Sequence, residues 1–303
     1  MTVQIQPTQQ QMDTWIEKYV PEKDLFVLTK EDILSFKNDL QGVLIFPRAE
    51  FFKHSSYNGI QWVNSYVYWM IAKEVEVVLV AQPDWITTLS QSKKEALFRI
   101  QHKLGRGLMG PISFLADKAV FPEEYTFNVG NERIGIIQRE MWMNLPFAVK
   151  EKIMATSAQL YDAWTAEAYP ASMPAHIKKY ANSFSAEPGA NCLAAALYAI
   201  STNPERDEWI IHEWVHDGTF AEGLKHAGYS PTDEEFREGD VVVWVNEEGI
   251  IQHAAYCIDN QLFFNKNGQT FFNPWKIVRW DELQKEWTRF ETRVYRKSSI
   301  GSE

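Results

Sequence analysis

The sequence holds only two cysteines in 303 residues, Cys192 and Cys257. Two thiols cannot build a disulfide scaffold, and a chain of this length has enough apolar matter to form a core without one. No apolar run approaches the ~18 residues of a membrane-spanning helix. The longest unbroken stretch is Cys192–Ile200. The N-terminal residues show neither the basic nor the apolar segment of a secretory signal. Basic residues are in deficit: 30 Lys and Arg stand against 40 Asp and Glu, a formal charge of −10. An acidic chain lacks the cationic face that a phosphate backbone or an anionic membrane surface requires. Nucleic acid and membrane are therefore not expected partners. Internal repeats and low-complexity tracts are absent too. These absences set the expectation of a cytoplasmic protein with free thiols.

What is present reads as a folded α+β protein of two domains, since domains average roughly 150 residues. Gly42–Phe46 and Glu76–Val80 are β-branched runs bounded by polar residues and predict buried strands. Ser90 predicts an N-cap for a helix over Gln91–Leu104, with Gly105 fitting the residue just past its end. Phe147–Tyr161 predicts another helix, and the Gln-rich first twelve residues predict a frayed end. The aromatic group Trp62, Tyr66, Tyr68 and Trp69 suits core packing better than a ligand platform. Two prolines and small residues in Ala168–Pro174 mark a linker. The expected domains are thus 1–175, with no function legible, and 176–303.

The second half changes character. A turn-rich loop, Ser185–Asn191, leads into Cys192–Ile200, whose alanines and spaced leucines predict a buried helix. A second helix over Gly218–His226 follows, then strands at Val241–Val245, Ile250–Ile258, Gln261–Asn265 and Trp275–Trp280. The middle pair forms a hairpin around Asp259-Asn260. Cys192 stands where the unpaired N–H groups of a helix start can stabilise a thiolate. A turn centred on Asp259 would set His253 opposite Asn265 on one face of the hairpin. Nucleophile, base and orienter are then all present: Cys192, His253 and Asn265. Cys257 lies about 13 Å along the strand from His253 and reads as a core thiol. A lone cysteine taken by itself reads as structural too.

The pattern Asn191-Cys192 opening a helix, Gly239-Asp240-Val-Val-Val-Trp244, His253-Ala-Ala-Tyr-Cys-Ile258 and Phe263-Phe264-Asn265 resembles the NlpC-type cell-wall cysteine peptidases. The likeness covers about residues 178–297, and the spacing of 12 from His253 to Asn265 follows the family pattern. It implies a papain-like domain, a helix packed on an antiparallel sheet. It also implies a cysteine peptidase or amidase whose substrate is a small peptide, cell-wall-derived in the family, with no cofactor. Departures are Asn191 where the family commonly has Asp, Leu193-Ala194 where Ser-Gly is frequent, and Asn265 where His is commonest.

A rival motif lies in the same half. His212-Glu-Trp-Val-His216 is a literal HExxH, which on a helix offers two imidazoles to a zinc ion and Glu213 as base. Asp217 and Gly218 follow it, and no third ligand stands at metzincin spacing, so no metal is expected. Three readings stand: a cysteine hydrolase, a zinc hydrolase, or a non-catalytic binding protein on a papain-like scaffold. His54 and His102 have nothing catalytic beside them, and His176 reads as a solvated histidine. Asp233–Glu238 reads as a solvated turn, and Gly105–Gly110 lacks the ending of a phosphate loop. Trp275, Trp280 and Trp287 suit packing behind the sheet better than lining a cleft.

Overall fold

The computed structural model describes residues 1–115, 121–171, 173–259 and 261–298. The chain is an α+β protein with several antiparallel sheets. It divides into two units, one made of Met1–Gln11 with Ala158–Glu303 and the other of Met12–Ser157. The sequence expectation of a boundary near 175 differs from this division on two counts. The segment from Ala158 onward groups with the C-terminal residues, and so does the N-terminus. The reason for the second is specific: Thr2–Gln4 is a strand, paired antiparallel with Thr165–Glu167, and not a frayed end. Ser172 of the expected linker lies outside the described residues, as does Asn260 of the expected turn.

In the unit of Met12–Ser157, Val77–Ala81 is the central strand between Asp24–Leu28 and Leu44–Pro47. The last of these is an edge strand with Leu44 and Ile45 exposed, so the buried strand expected there is corrected. A second sheet joins Met109–Pro111, Glu132–Ile136 and Thr126–Val129. The helix Gln91–Lys103 begins at Ser90, whose hydroxyl accepts from Lys93 N. Gly105 then turns the chain at φ +74°, where a Cβ would meet Met70 O at 2.4 Å. Of the aromatic group, Tyr66 is wholly buried and stacks on Trp62, while Trp69 is exposed.

The other unit is built on a six-stranded antiparallel sheet. Its order is Trp275–Arg279, Leu262–Lys266, Ile251–Cys257, Val241–Val245, Glu291–Lys297 and Tyr229–Thr232. Alternation sorts the side chains by face. Val241, Val243, Val245 and Ala254 pack with Cys192, Leu193, Ala194 and Ala196 of the helix Cys192–Ala199. Val242, Trp244, Ala255, Cys257 and Phe263 point to the opposite face, onto Leu283, Trp280 and Trp287. The small residues of the helix let it lie close on the sheet. The helix Asp217–His226 packs closely on that helix in turn, since a Cβ on Gly223 would sit 2.8 Å from the Leu197 side chain. Both cysteines are free and lie in different clusters.

Candidate active site

The loop before the cysteine ends in Asn191, which caps the helix. Its Oδ1 accepts from Ala194 N at 3.0 Å, and its Nδ2 donates to Val215 O at 2.7 Å. One side chain thus satisfies an orphan helix donor and ties the helix start to the 214–217 segment. Cys192 follows, 7% exposed. The N–H groups of Ala254, Leu193 and Cys192 itself bear on its thiol and favour the thiolate, as does the Lys266 ammonium. Burial outweighs them and pushes the thiol up to about 11.

His253 Nε2 lies 2.7 Å from Asn265 Oδ1. An amide oxygen only accepts, so the ring carries its proton on Nε2 and keeps a lone pair on Nδ1. The pairing that builds this contact differs from a direct opposition. Tyr256 pairs with Phe264 and Cys257 with Phe263. Continued along the hairpin, that register sets Asn265 opposite Ala255, making His253 and Asn265 diagonal neighbours on one face, within reach of their side chains. The turn is held by Asp259, whose carboxylate accepts from Gln261 N and Leu262 N, both at 2.8 Å. Trp287 covers the imidazole as a parallel stack, centroids 4.1 Å apart at 9°. Trp244, the cross-strand partner of His253, packs beside it. Enclosed in this way, the ring is held off protonation: burial pulls its pKa down to about 3, against the opposing pull of the Asn265 bond.

Cys192 and His253 border one cavity of about 330 Å³, together with Trp214, His216, Asp217, Ile250, Gln269 and Trp287. Strand alternation directs the His253 side chain away from the face on which the cysteine helix lies. What the two groups share is the cavity that both border. Among the described residues no hydrogen bond joins thiol and ring, and both are neutral. Asn265 is buried behind His253 and acts on it from the side away from the cavity mouth.

The HExxH segment does not form the helix that a zinc site needs. His212 ends a 3₁₀ turn over Glu208–His212, and the helix Asp217–His226 starts only after His216. His212 packs against Tyr180 and Trp275, while His216 borders the cysteine cavity beside Trp214. The two imidazoles are thus not one turn apart on one face. Among the described residues no three His, Cys, Asp or Glu side chains are grouped to hold a metal ion. His176 is half-buried, not solvated; its Nε2 lies 3.1 Å from Ala199 O at the end of the cysteine helix. Cys257 is buried on the far face, its thiol donating to Asp259 O at 2.9 Å, with burial and neighbouring carboxylates pushing it up to about 12.

Trp280 packs behind the sheet as the sequence suggested, Trp275 packs on the helix-bearing face instead, and Trp287 lines the cavity. Lys266 is a residue of this site that the sequence does not mark. It sits at the end of Leu262–Lys266, wholly buried, where a lysine is normally solvated. Its only sequence signal was its place directly after Asn265. No helix among the described residues is long and apolar enough to cross a membrane. Comparison of the chain with protein-family models, with curated proteins and with solved structures finds no match.

Proposed function

We propose that the unit carrying Cys192 is a cysteine amidohydrolase or peptidase on a papain-like, NlpC-type scaffold. The observation that carries this reading is the His253–Asn265 hydrogen bond, which leaves an unprotonated Nδ1 on a residue bordering the same cavity as Cys192. The thiol sulfur attacks the carbonyl carbon of a bound amide as its proton passes to Nδ1 of His253. The oxyanion is received by the N–H groups of Cys192 and Leu193 at the helix start. The tetrahedral intermediate then expels the amine, which takes the proton from His253. Water, deprotonated by the same nitrogen, releases the acid and restores the thiol. Because thiol and imidazole are both neutral at rest, proton transfer accompanies attack; it does not precede it. The cavity suits a small peptide, and a cell-wall-derived peptide remains the substrate class the sequence pattern suggests.

The test is an activated acyl donor, p-nitrophenyl acetate, followed by peptide mass spectrometry. A burst of nitrophenolate with the acetyl group on Cys192, lost in Cys192→Ala and slowed by about 10²–10⁴ in His253→Ala, is the expected result. Acetylation that spares Cys192, or that ignores the histidine change, would overturn it. The neutral thiol and ring, with no hydrogen bond between them, favour a second reading, a non-catalytic binding site, and either of those two outcomes would favour it over hydrolysis.

A further inference from the structure

The cysteine site has a buried cation that the proposed mechanism does not use. Lys266 follows Asn265 on the same strand and, two residues on from Phe264, which packs with the cysteine helix, lies on the other face. Its side chain is fully enclosed. Nζ donates to Thr270 O at 2.9 Å and to Asn273 O at 2.5 Å, and lies over the Trp275 ring at 5.6 Å. Those two carbonyls belong to the turn that follows the strand. The start of that turn, Asn267, Gly268 and Gln269, forms one wall of the cavity. The turn is closed further by Thr270, whose hydroxyl donates to Asn273 Oδ1 at 2.6 Å. It is also tied to the loop before the cysteine, where Gly189 N donates to Gln269 O at 2.8 Å. One ammonium group therefore anchors the wall that faces the thiol and the loop that delivers it.

We propose that Lys266 is a positioning residue for Cys192: its ammonium fixes the 267–273 wall through two carbonyls and supplies the positive charge that favours the thiolate as it forms. This deepens the cysteine-hydrolase reading and rests on it. A buried ammonium is costly unless it is partnered. Two carbonyls satisfy two of its three donors, which a loop clasp alone would explain. The charge itself needs a further reason, because a neutral amide would clasp the same carbonyls at lower desolvation cost. The groups that favour it are Cys192, from the helix, and Asp162, which is itself paired with Lys276 at 2.8 Å. Burial lowers the lysine to about 7, so near neutral pH it stands at the edge of losing its charge. Linkage then makes the effect reciprocal. A thiolate formed beside it raises the lysine's hold on its proton, and the retained proton lowers the cost of the thiolate. His253, His216 and Asp217 are the other titratable groups on the cavity.

Two variants separate the clasp from the charge. Lys266→Gln keeps an N–H donor for the carbonyls and removes the charge; Lys266→Met removes both. The readouts are the rate of Cys192 alkylation by iodoacetamide at pH 6, where Lys266 still carries its charge, and amide hydrogen exchange over residues 267–273. We expect Lys266→Gln to slow labelling about tenfold, the equivalent of one pKa unit, with the turn still protected. Lys266→Met should slow labelling as much and expose the turn to exchange as well. A folded Lys266→Gln that labels at the wild-type rate overturns the proposal. If neither variant folds, the lysine is a structural clasp and the proposal also fails. Alkylation reads the thiol whether or not an amide is cleaved. A failed acetyl-transfer experiment with slowed labelling would therefore remove the hydrolase reading and leave the role of Lys266 intact.

Discussion

In the proposed reaction the deciding residue is His253, and its surroundings set how it can act. A ring stacked under Trp287 and bonded through Nε2 to Asn265 has one free nitrogen and one orientation. Burial holds it neutral down to about pH 3 and holds the Cys192 thiol neutral up to about pH 11. A resting thiolate–imidazolium pair would label quickly even at pH 5. The neutral pair predicts the opposite. Alkylation of Cys192 should be slow at pH 5 and rise about tenfold per pH unit up to about pH 7, then less steeply to pH 9 as Lys266 loses the charge that favours the thiolate. Acetyl transfer should stay nearly flat over the same range, because there His253 takes the proton during attack. Fast labelling at pH 5 would show that the ion pair exists at rest. Asn265→Ala frees the ring to turn and should reduce acetyl transfer by about 10²-fold or less, a smaller loss than removal of the base itself. A burst as fast as the wild type's would deny Asn265 its orienting role.

At the scale of elements, the sequence was most legible where one face or both are apolar and turn residues mark the ends. Val241–Val245 begins straight after Gly239-Asp240 and is buried along its whole length, and its limits are those the pattern predicts. The cysteine helix shows itself through its alanines and through Asn191 as cap. The His253 hairpin was legible in its strands, while its register moved His253 and Asn265 from opposite to diagonal. What stayed hidden depends on partners far along the chain. Thr2–Gln4 carries no strand pattern of its own and exists because Thr165–Glu167 offers a ladder. The HExxH string suggested a helix, but the backbone is extended at Glu213 and His216, and the helix starts only at Asp217. Lys266 was invisible because a lysine is read as solvated unless the structure shows what it meets.

Asn191 tests how the cap serves the site. Asn191→Ala removes both of its bonds and should cost about 1–2 kcal/mol, the usual range for a lost N-cap. Asn191→Asp keeps an oxygen for Ala194 N but leaves Val215 O without its donor. It should recover most of the cap energy in urea titrations and still slow acetyl transfer, because the 214–217 wall loses its tie to the helix. Equal stability losses in the two variants would mean that the Val215 bond, not the cap, holds the helix start.

Across the whole molecule, buried ionisable groups give the two units opposite responses to pH. Asp24 lies in the unit of Met12–Ser157, enclosed among Tyr66, Arg106 and Arg139. Burial raises its pKa from 3.8 to about 7, with the Arg139 N–H bond and the two guanidinium groups working against that rise. Between those values the folded state holds a proton that the unfolded chain has released. The contribution of Asp24 to stability is therefore complete below pH 3.8 and lost as pH rises toward 7. His253, in the other unit, is displaced downward, from 6.5 to about 3. There the unfolded chain takes up the proton, so its contribution is complete above pH 6.5 and lost as pH falls toward 3. Raising the pH from about 4 to about 7 should thus weaken the Asp24 unit and strengthen the His253 unit, as far as these two groups decide it. Hydrogen exchange at increasing urea, followed peptide by peptide, reads each unit separately. Asp24→Asn should flatten the pH dependence for the strand Val77–Ala81 and leave that of Val241–Val245 unchanged. His253→Gln should do the reverse. If each substitution altered both strands equally, the protein would unfold as one cooperative body, and the separate pH responses assigned to its units would be wrong.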